Sequence, residues 1–218
     1  MMKKKRSRII EFRQSSPIIK YMSLLADAMY VGALWLLTSL PIITIGTSTT
    51  AGYYVMTRRI SDRESSIFGD YFSSFKSNFK NTTIIYVILM ICFLVNLYNF
   101  FYNPVGGYLG LVINAIQIIL MVQLVFVYVT VFPLASRFDL GIKQLFRKSL
   151  ILANKHVFVT LTHGALFVAI LWLCFNAPVI FVIAPGIYIW LSSYMCMNVY
   201  RKYNPEMDKD KPSDAEKK

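Results

Sequence analysis

The sequence is poor in the residues that most often build catalytic and metal sites. Its 218 residues include only 11 acids, two histidines and three cysteines. Cys92, Cys174 and Cys196 each stand alone inside an apolar run, which excludes a CxxC metal site and a disulfide framework. His156 and His163 are seven residues apart, so a helix would separate them by about 10.5 Å, too far for one metal ion. We therefore predict neither a metal nor another cofactor.

Sequence motifs of known chemistry are also missing. The chain contains no H-E-x-x-H, no G-x-S-x-G and no G-x-x-x-x-G-K-[ST], and no pair of carboxylates lies within an apolar run. Zinc hydrolysis, serine hydrolysis, phosphate-loop chemistry and paired-carboxylate catalysis therefore have no candidate residues. We predict that the protein is not an enzyme.

Charged residues are scarce, and their distribution is uneven. They make up 16% of the chain against 56% apolar residues, and the mean hydropathy of +0.51 is typical of an integral membrane protein. All 23 Lys and Arg residues fall in residues 3–20, 58–80, 137–155 and 201–218. Alternate membrane crossings place these four segments on one face, which the positive-inside rule makes cytoplasmic. We predict a multi-pass protein of the cell membrane, surrounded by the lipid bilayer, with both termini cytoplasmic and no nucleic-acid partner.

Long apolar runs divide the chain into membrane spans. An α-helix needs about 20 residues to cross the hydrocarbon core of a bilayer. Five runs have about that length, which predicts an all-α fold, a polytopic transmembrane helix bundle. The five full spans are residues 21–40, 83–102, 108–132, 157–175 and 179–199. One integral membrane domain, residues 21–203, then lies between a basic cytoplasmic arm, residues 1–20, and a disordered cytoplasmic tail, residues 204–218.

A shorter segment follows the first span. Pro41 should end the first helix, and Arg58 has to lie back on the cytoplasmic face. Residues 46–57 extend only about 18 Å as a helix, too short to cross the core. We predict one short, broken helix here, and the sequence leaves open whether it spans or re-enters. Hydroxyl groups near its start are predicted to cap the free N-terminal amides; they belong to Thr47, Ser48, Thr49 and Thr50.

Two more segments, residues 67–80 and 142–150, have an apolar stripe at helical spacing opposite a basic face. We predict two amphipathic helices at the inner membrane interface, with phenylalanines in the acyl boundary and cations at the headgroups. Docking of the stripes against the bundle is the alternative. The residues that define these helices are Phe68, Phe72, Phe75, Phe79, Lys76, Phe146, Arg147 and Lys148.

The order of amphipathic helix, span, proline turn and span occurs twice in the same orientation. Phe72 and Phe146 are 74 residues apart, and so are Pro104 and Pro178. This spacing fits an internal parallel repeat like those of some transporters, and it fits coincidence equally well.

Three motifs lie in the first 100 residues. Residues 34–46 read LWLLTSLPIITIG, residues 51–55 read AGYYV, and residues 68–80 read FGDYFSSFKSNFK. Together they resemble the YesL family of small bacterial integral membrane proteins. The resemblance implies a protein without an established biochemical activity, whose relatives accompany carbohydrate-uptake ABC transporters and their sensor systems in Gram-positive bacteria.

Asp27 is the only acid within a predicted span. A charge inside a membrane is costly unless it is paired, which makes a functional role a reasonable first hypothesis. Arg58 and Arg59, at the end of the short helix, are predicted at a similar depth. Two interpretations are open: a structural ion pair with one of these arginines, or coupling to a proton or ligand.

Amide side chains recur on one face of the second full span and stand on the next helix as well. They are Asn96, Asn99, Asn103, Asn114 and Gln117. Together with the hydroxyls of residues 47–50, predicted at a similar depth, they form a candidate polar cavity, because amides and hydroxyls donate and accept at once. The alternative is that they join helices, since polar side chains also hold membrane bundles together.

Three functions follow from these features. The first is an accessory protein that binds another membrane complex, which the family resemblance implies is a carbohydrate ABC transporter permease. The second is a transporter or channel for a small polar solute, which requires the candidate polar cavity. The third is a membrane partner of a sensor kinase, which would use the same surfaces as the first.

Overall fold

The computed structural model of the protein describes residues 17–61, 66–102 and 105–203. Seven α-helices and two short 3-10 segments, with no strand, make up these ranges, which confirms the all-α prediction. The helices are α1 (Pro17–Thr38), α2 (Ile45–Ile60), α3 (Ile67–Phe101), α4 (Gly107–Ala135), α5 (Ile142–Lys155), α6 (Val157–Asn176) and α7 (Ala184–Tyr203). The 3-10 segments are Ile42–Thr44 and Pro178–Val182. Most of the predicted arm, Asn103 and the predicted tail lie outside the described residues.

Four helices are long and apolar enough to cross a membrane. They are α1 from Ile19, α3, α4 and α6, and they correspond to four of the predicted spans. α2 has 16 residues and extends about 24 Å, which agrees with the prediction of one short helix. The long apolar helices indicate a membrane-spanning protein.

The fifth predicted span, residues 179–199, is divided in the structure. Pro178–Val182 forms a 3-10 segment, and α7 begins at Ala184. Pro185 explains this start, because proline has no amide hydrogen and fits a helix only in its first turn. α7 is not one of the four apolar helices, and its residues Ser192 and Ser193 are fully buried. Length and apolarity alone thus support four of the five predicted full spans.

The predicted amphipathic helix at residues 67–80 is not a separate element. It is the first part of α3, which continues through the predicted span for 35 residues, or about 52 Å. Between Gly69 and Tyr102 the sequence has no glycine or proline that would interrupt the helix. Ser66 caps the helix, since its hydroxyl accepts a hydrogen bond from the amide of Gly69 at 3.2 Å.

The stripe on this part of α3 packs largely against the bundle. Tyr71 is fully buried, and Phe72 and Phe75 are half-buried against the core, whereas Phe68 and Phe79 are exposed. On α5 two residues of the predicted stripe, Leu145 and Ser149, are buried, whereas Phe146, Arg147 and Lys148 are exposed. Docking therefore applies to the middle of the first stripe and to part of the second.

One proline does not end a helix where the sequence predicted, and four residues of the predicted arm, from Pro17 onward, are helical in α1. Pro133 was expected to end the third full span, but α4 continues to Ala135. The amide hydrogen that Pro133 lacks would have bonded the carbonyl of Val129, so only one bond of the last turns is lost.

α2 lies at the centre of the bundle and contacts α1, α3, α4 and α7. All of its residues from 46 to 53 are buried, and so are Val55, Met56 and Thr57. A helix surrounded in this way can be polar without facing lipid. The central position of α2 explains why a segment too short to cross the membrane alone is tolerated at this depth.

α1 and α7 cross at two glycines. A Cβ atom on Gly32 would lie 3.0 Å from the amide nitrogen of Gly186, and one on Gly186 would overlap the carbonyl oxygen of Ala28. Ala28 and Gly32 are four residues apart, the small-xxx-small spacing that lets membrane helices approach closely. The two backbones therefore touch at a point where no side chain fits.

Candidate functional site

A cavity of about 100 Å³ lies between α1, α2, α4, α6 and α7. Its wall is mainly apolar and includes the aromatic side chains of Trp35, Tyr128, Phe132, Phe167 and Phe181. Phe181 is half exposed at the surface of the bundle. The cavity is suited to a small apolar group more than to a charged or strongly hydrated one.

A chain of buried polar groups lies next to this cavity and reaches its wall through Tyr53 and Tyr188. The hydroxyl of Tyr53 lies 3.1 Å from Nε2 of His163 and 2.8 Å from Oγ of Ser192. Oγ of Ser192 donates to the carbonyl of Tyr188 at 2.6 Å. All four residues are buried.

The directions of these hydrogen bonds follow from the number of protons available. Because Ser192 donates to a carbonyl, its oxygen accepts from Tyr53. The Tyr53 hydroxyl then has no further proton, so it accepts from His163, which must carry its proton on Nε2. The chain runs from the imidazole to a backbone carbonyl and joins α2, α6 and α7.

Sequence reasoning found only one member of this chain. The sequence predicts that His163, a lone histidine inside a span, is a satisfied residue of the bundle more than a proton carrier, and it is hydrogen-bonded in the structure. Tyr53 and Ser192 were missed. They are 139 residues apart, and tyrosine and serine are common in membrane helices, so no sequence signal connects them.

The predicted ion pair of Asp27 lies between α1 and α2. Arg59 donates from Nε to Oδ2 of Asp27 at 2.7 Å and from a terminal nitrogen to Oδ1 at 3.1 Å, a bidentate arrangement. Arg58, the other candidate, points elsewhere. Its Nε lies 3.4 Å from Oδ2 of Asp70, and its terminal nitrogen donates to the Tyr54 hydroxyl at 2.9 Å. Neighbouring arginines thus attach α2 to α1 and to α3.

The hydroxyls at residues 47–50 do not cap the start of α2 as predicted. Ser48, Thr49 and Thr50 donate backwards to carbonyls four residues earlier, at 2.7 to 3.0 Å. A hydroxyl inside a helix donates to the carbonyl four residues earlier when no other hydrogen-bond partner is close. Thr47 is shared with α3, since its oxygen lies 2.9 Å from that of Thr82 and 2.8 Å from that of Thr83.

One of these threonines also reaches the cavity. The indole nitrogen of Trp35 donates to Oγ1 of Thr49 at 3.0 Å, and both residues line the cavity wall. Nearby, the Thr38 and Tyr71 oxygens lie 2.7 Å apart, and Tyr71 donates to the carbonyl of Ser48 at 3.3 Å. These bonds attach α1 and α3 to the start of α2.

The predicted amide group is far from the hydroxyl group. Thr82, which touches Thr47, precedes Asn96 by 14 residues, so about 21 Å of α3 separates the two levels. Asn99 is exposed, and Asn96, Asn114 and Gln117 are half-buried. None of these four lines the cavity described above. The prediction of a single polar cavity containing both groups is therefore wrong. The depth of each group was estimated by counting residues along separate spans, and this count does not include where α2 lies relative to α3.

Possible metal ligands are dispersed. Within residues 17–61, 66–102 and 105–203, no three His, Cys, Asp or Glu side chains come together as a ligand set. Cys92 is exposed, Cys174 is half-buried and Cys196 is buried, each without a disulfide partner in these ranges.

The part of the chain that contains α2 and α3 has recognised relatives. Residues 28–100 match a family described as "Protein of unknown function, DUF624". The match covers about one third of the chain and includes Tyr53, Arg59 and Asp70. Neither the curated proteins nor the solved structures contain a match to this chain. The DUF624 match carries no activity of its own.

Proposed function

We propose that the protein is a non-enzymatic accessory protein of the cell membrane that binds the permease of a carbohydrate ABC transporter. The DUF624 match agrees with the resemblance to the YesL family. That resemblance supports the proposal, since it implies a protein whose relatives accompany such transporters. The segments rich in Lys and Arg, and with them both termini, face the cytoplasm.

The observation that carries the proposal is an exposed amide on an exposed apolar face of α3. Only 17% of its most apolar 18-residue stretch is buried. Val95 and Tyr98 are 55% and 63% exposed, and the amide of Asn99 is exposed beside them. An apolar helix face that also carries an amide is well suited to a second membrane helix, because the amide gains a hydrogen-bond partner there that lipid cannot supply.

Purification in mild detergent tests this surface. Val95→Trp places a large side chain where a partner helix would approach, and Val168→Trp on α6 is the matched control, because Val168 is similarly exposed at 61%. We expect the wild type and Val168→Trp to retain an identified carbohydrate permease and Val95→Trp to lose most of it. If the permease stays with Val95→Trp, the α3 surface is wrong; if it is absent from the wild-type preparation, the accessory role is wrong.

A transporter of a small polar solute is the second candidate, and the buried chain of Tyr53, His163 and Ser192 favours it. Of these three residues Tyr53 lines the first cavity, and a solute hydroxyl there could replace His163 or Ser192 as the hydrogen-bond partner of the Tyr53 hydroxyl. Solute flux in liposomes that is lost on His163→Leu, with the protein still folded, would support transport. A membrane partner of a sensor kinase stays a third prediction, and a kinase in place of the permease in the purification above would support it.

A further inference from the structure

A second cavity, of about 350 Å³, lies where α4, α5 and α7 meet. It is lined by Leu134, Phe138, Lys148, Ile151, Leu152, Lys155 and Tyr200. We propose that this cleft binds the phosphate headgroup of an anionic phospholipid, with the start of an acyl chain between its apolar walls. This site is independent of any protein partner.

The position of the cleft fits a lipid headgroup. α4 ends at Ala135 and α6 begins at Val157, so the cleft lies at the end of two apolar helices, where the chain becomes polar. Five Lys and Arg residues fall within residues 137–155. Basic pockets between membrane helices at this boundary are the usual sites for anionic headgroups.

The side chains of α5 are spaced for such a ligand. Lys148, Ile151, Leu152 and Lys155 stand at positions i, i+3, i+4 and i+7, and so lie along one face of the helix. The two ammonium groups are at the ends of this face, and the two apolar side chains are between them. A bound phosphate would contact the two lysines, and the start of an acyl chain would contact Ile151 and Leu152.

The position of Lys148 is further defined by an aromatic ring. Its ammonium nitrogen lies 6.0 Å from the centre of the Phe138 ring, within the range of a cation–π interaction. Opposite, Tyr200 lines the cleft from α7, and its ring packs edge-on against Phe138 with 6.2 Å between the ring centres. The Phe138 contact orients the Lys148 charge before a ligand arrives, which lowers the entropy cost of binding.

Among the residues that the structure describes, the charges near the cleft are mainly positive. Arg137 and Asp139 flank Phe138, which gives three cations and one acid in this part of the described chain. Ile151 is 55% exposed, so the cleft is open to the surroundings of the bundle at this side. A zwitterionic choline lipid carries a positive group next to its phosphate and should bind this cleft less well than an anionic lipid.

Native mass spectrometry of the full chain in a non-ionic detergent tests the proposal. Phosphatidylglycerol is titrated into the delipidated protein, and the dissociation constant of the first bound lipid is measured, with phosphatidylcholine for comparison. We expect a clear preference for phosphatidylglycerol. The double variant Lys148→Gln, Lys155→Gln should bind it about thirtyfold more weakly at low salt.

Two variants and one competitor make the result specific. Lys76→Gln, Lys80→Gln removes the same charge from exposed sites on α3 and should leave binding within about twofold of the wild type. Lys148→Arg, Lys155→Arg retains the charge and should bind normally. Equal weakening in the α3 variant, or no preference over phosphatidylcholine, would overturn the site. Competition by glycerol 3-phosphate at the same concentration would also overturn it as a lipid site, because the headgroup alone would then suffice.

Discussion

The Tyr53 hydroxyl is bonded to two other helices, through His163 and Ser192. Tyr53→Phe removes the oxygen and leaves both partners buried without their bond. We expect a loss of about 1 to 2 kcal/mol in the free energy of unfolding, because an unpaired buried polar group keeps its desolvation cost. The measurement is the thermal midpoint of the purified protein in detergent.

Tyr30→Phe is the control, because Tyr30 is 46% exposed. It should leave the midpoint unchanged. A Tyr53→Phe protein as stable as the wild type would show that the hydrogen-bond chain contributes nothing to the fold.

At the scale of single residues, the sequence was most informative about charge. A lone acid in an apolar run needs a partner, and the arginines at a similar depth limited the choice to two, of which Arg59 lies against Asp27. Neutral polar residues carry no comparable constraint. The Thr49 hydroxyl donates a hydrogen bond to the carbonyl of Ile45 and accepts one from the indole of Trp35. Neither bond could be inferred from the residues next to Thr49 in the sequence.

The crossing of α1 and α7 leads to a prediction at the scale of elements. Gly186→Ala would place a methyl group against the carbonyl of Ala28, a backbone atom that cannot move aside without moving α1. We expect the variant to lose about 1 to 3 kcal/mol of stability, as overpacking of a tight interface does. The thermal midpoint in detergent measures this loss.

Gly164→Ala is a matched control in α6, where nothing lies within 4 Å of the added methyl group. Alanine favours the helix over glycine by about 1 kcal/mol, so this variant should be at least as stable as the wild type. If both variants behave alike, close contact of the backbones is not what joins α1 to α7.

Helix boundaries were predictable where a residue forbids a helix and less so elsewhere. Residues 80–83 separate a polar stretch from an apolar one, and this change in composition predicted two separate helices. No residue there interrupts a helical backbone, so α3 continues across these residues. In the proposed repeat the equivalent stretch does break, because α5 ends at Lys155 and α6 begins after His156. The two halves of the proposed repeat therefore differ at this junction.

Orientation in the membrane is a prediction for the whole molecule. After replacement of Cys92, Cys174 and Cys196 by serine or alanine, a single cysteine is installed at Lys76, Lys148 or Gly106. Because the basic segments are predicted to face the cytoplasm, we expect a membrane-impermeant thiol reagent added outside intact cells to label only Gly106→Cys.

Permeabilised cells provide the control, since all three cysteines should then react. Labelling of the Lys76 or Lys148 position from outside, without labelling at Gly106, would invert the proposed topology.

The bundle as a whole was predictable in composition but not in arrangement. Run length and the positions of cations identified its helices. Which helices are neighbours could not be inferred from the sequence. The apolar residues of α4 and α6 are spread over all faces, so their periodicity does not indicate which face contacts another helix. The central place of α2 depends on contacts with four helices, which no single segment encodes.

The unbroken length of α3 has a mechanical consequence. About 52 Å of helix exceeds the roughly 30 Å hydrocarbon core, so one rigid rod joins the Asn99 end to the Lys76 end. A rod of this length that tilts by about 5° displaces its far end by about 4 to 5 Å. A protein complex that binds one end of α3 can therefore move the groups in contact with the other end of this helix.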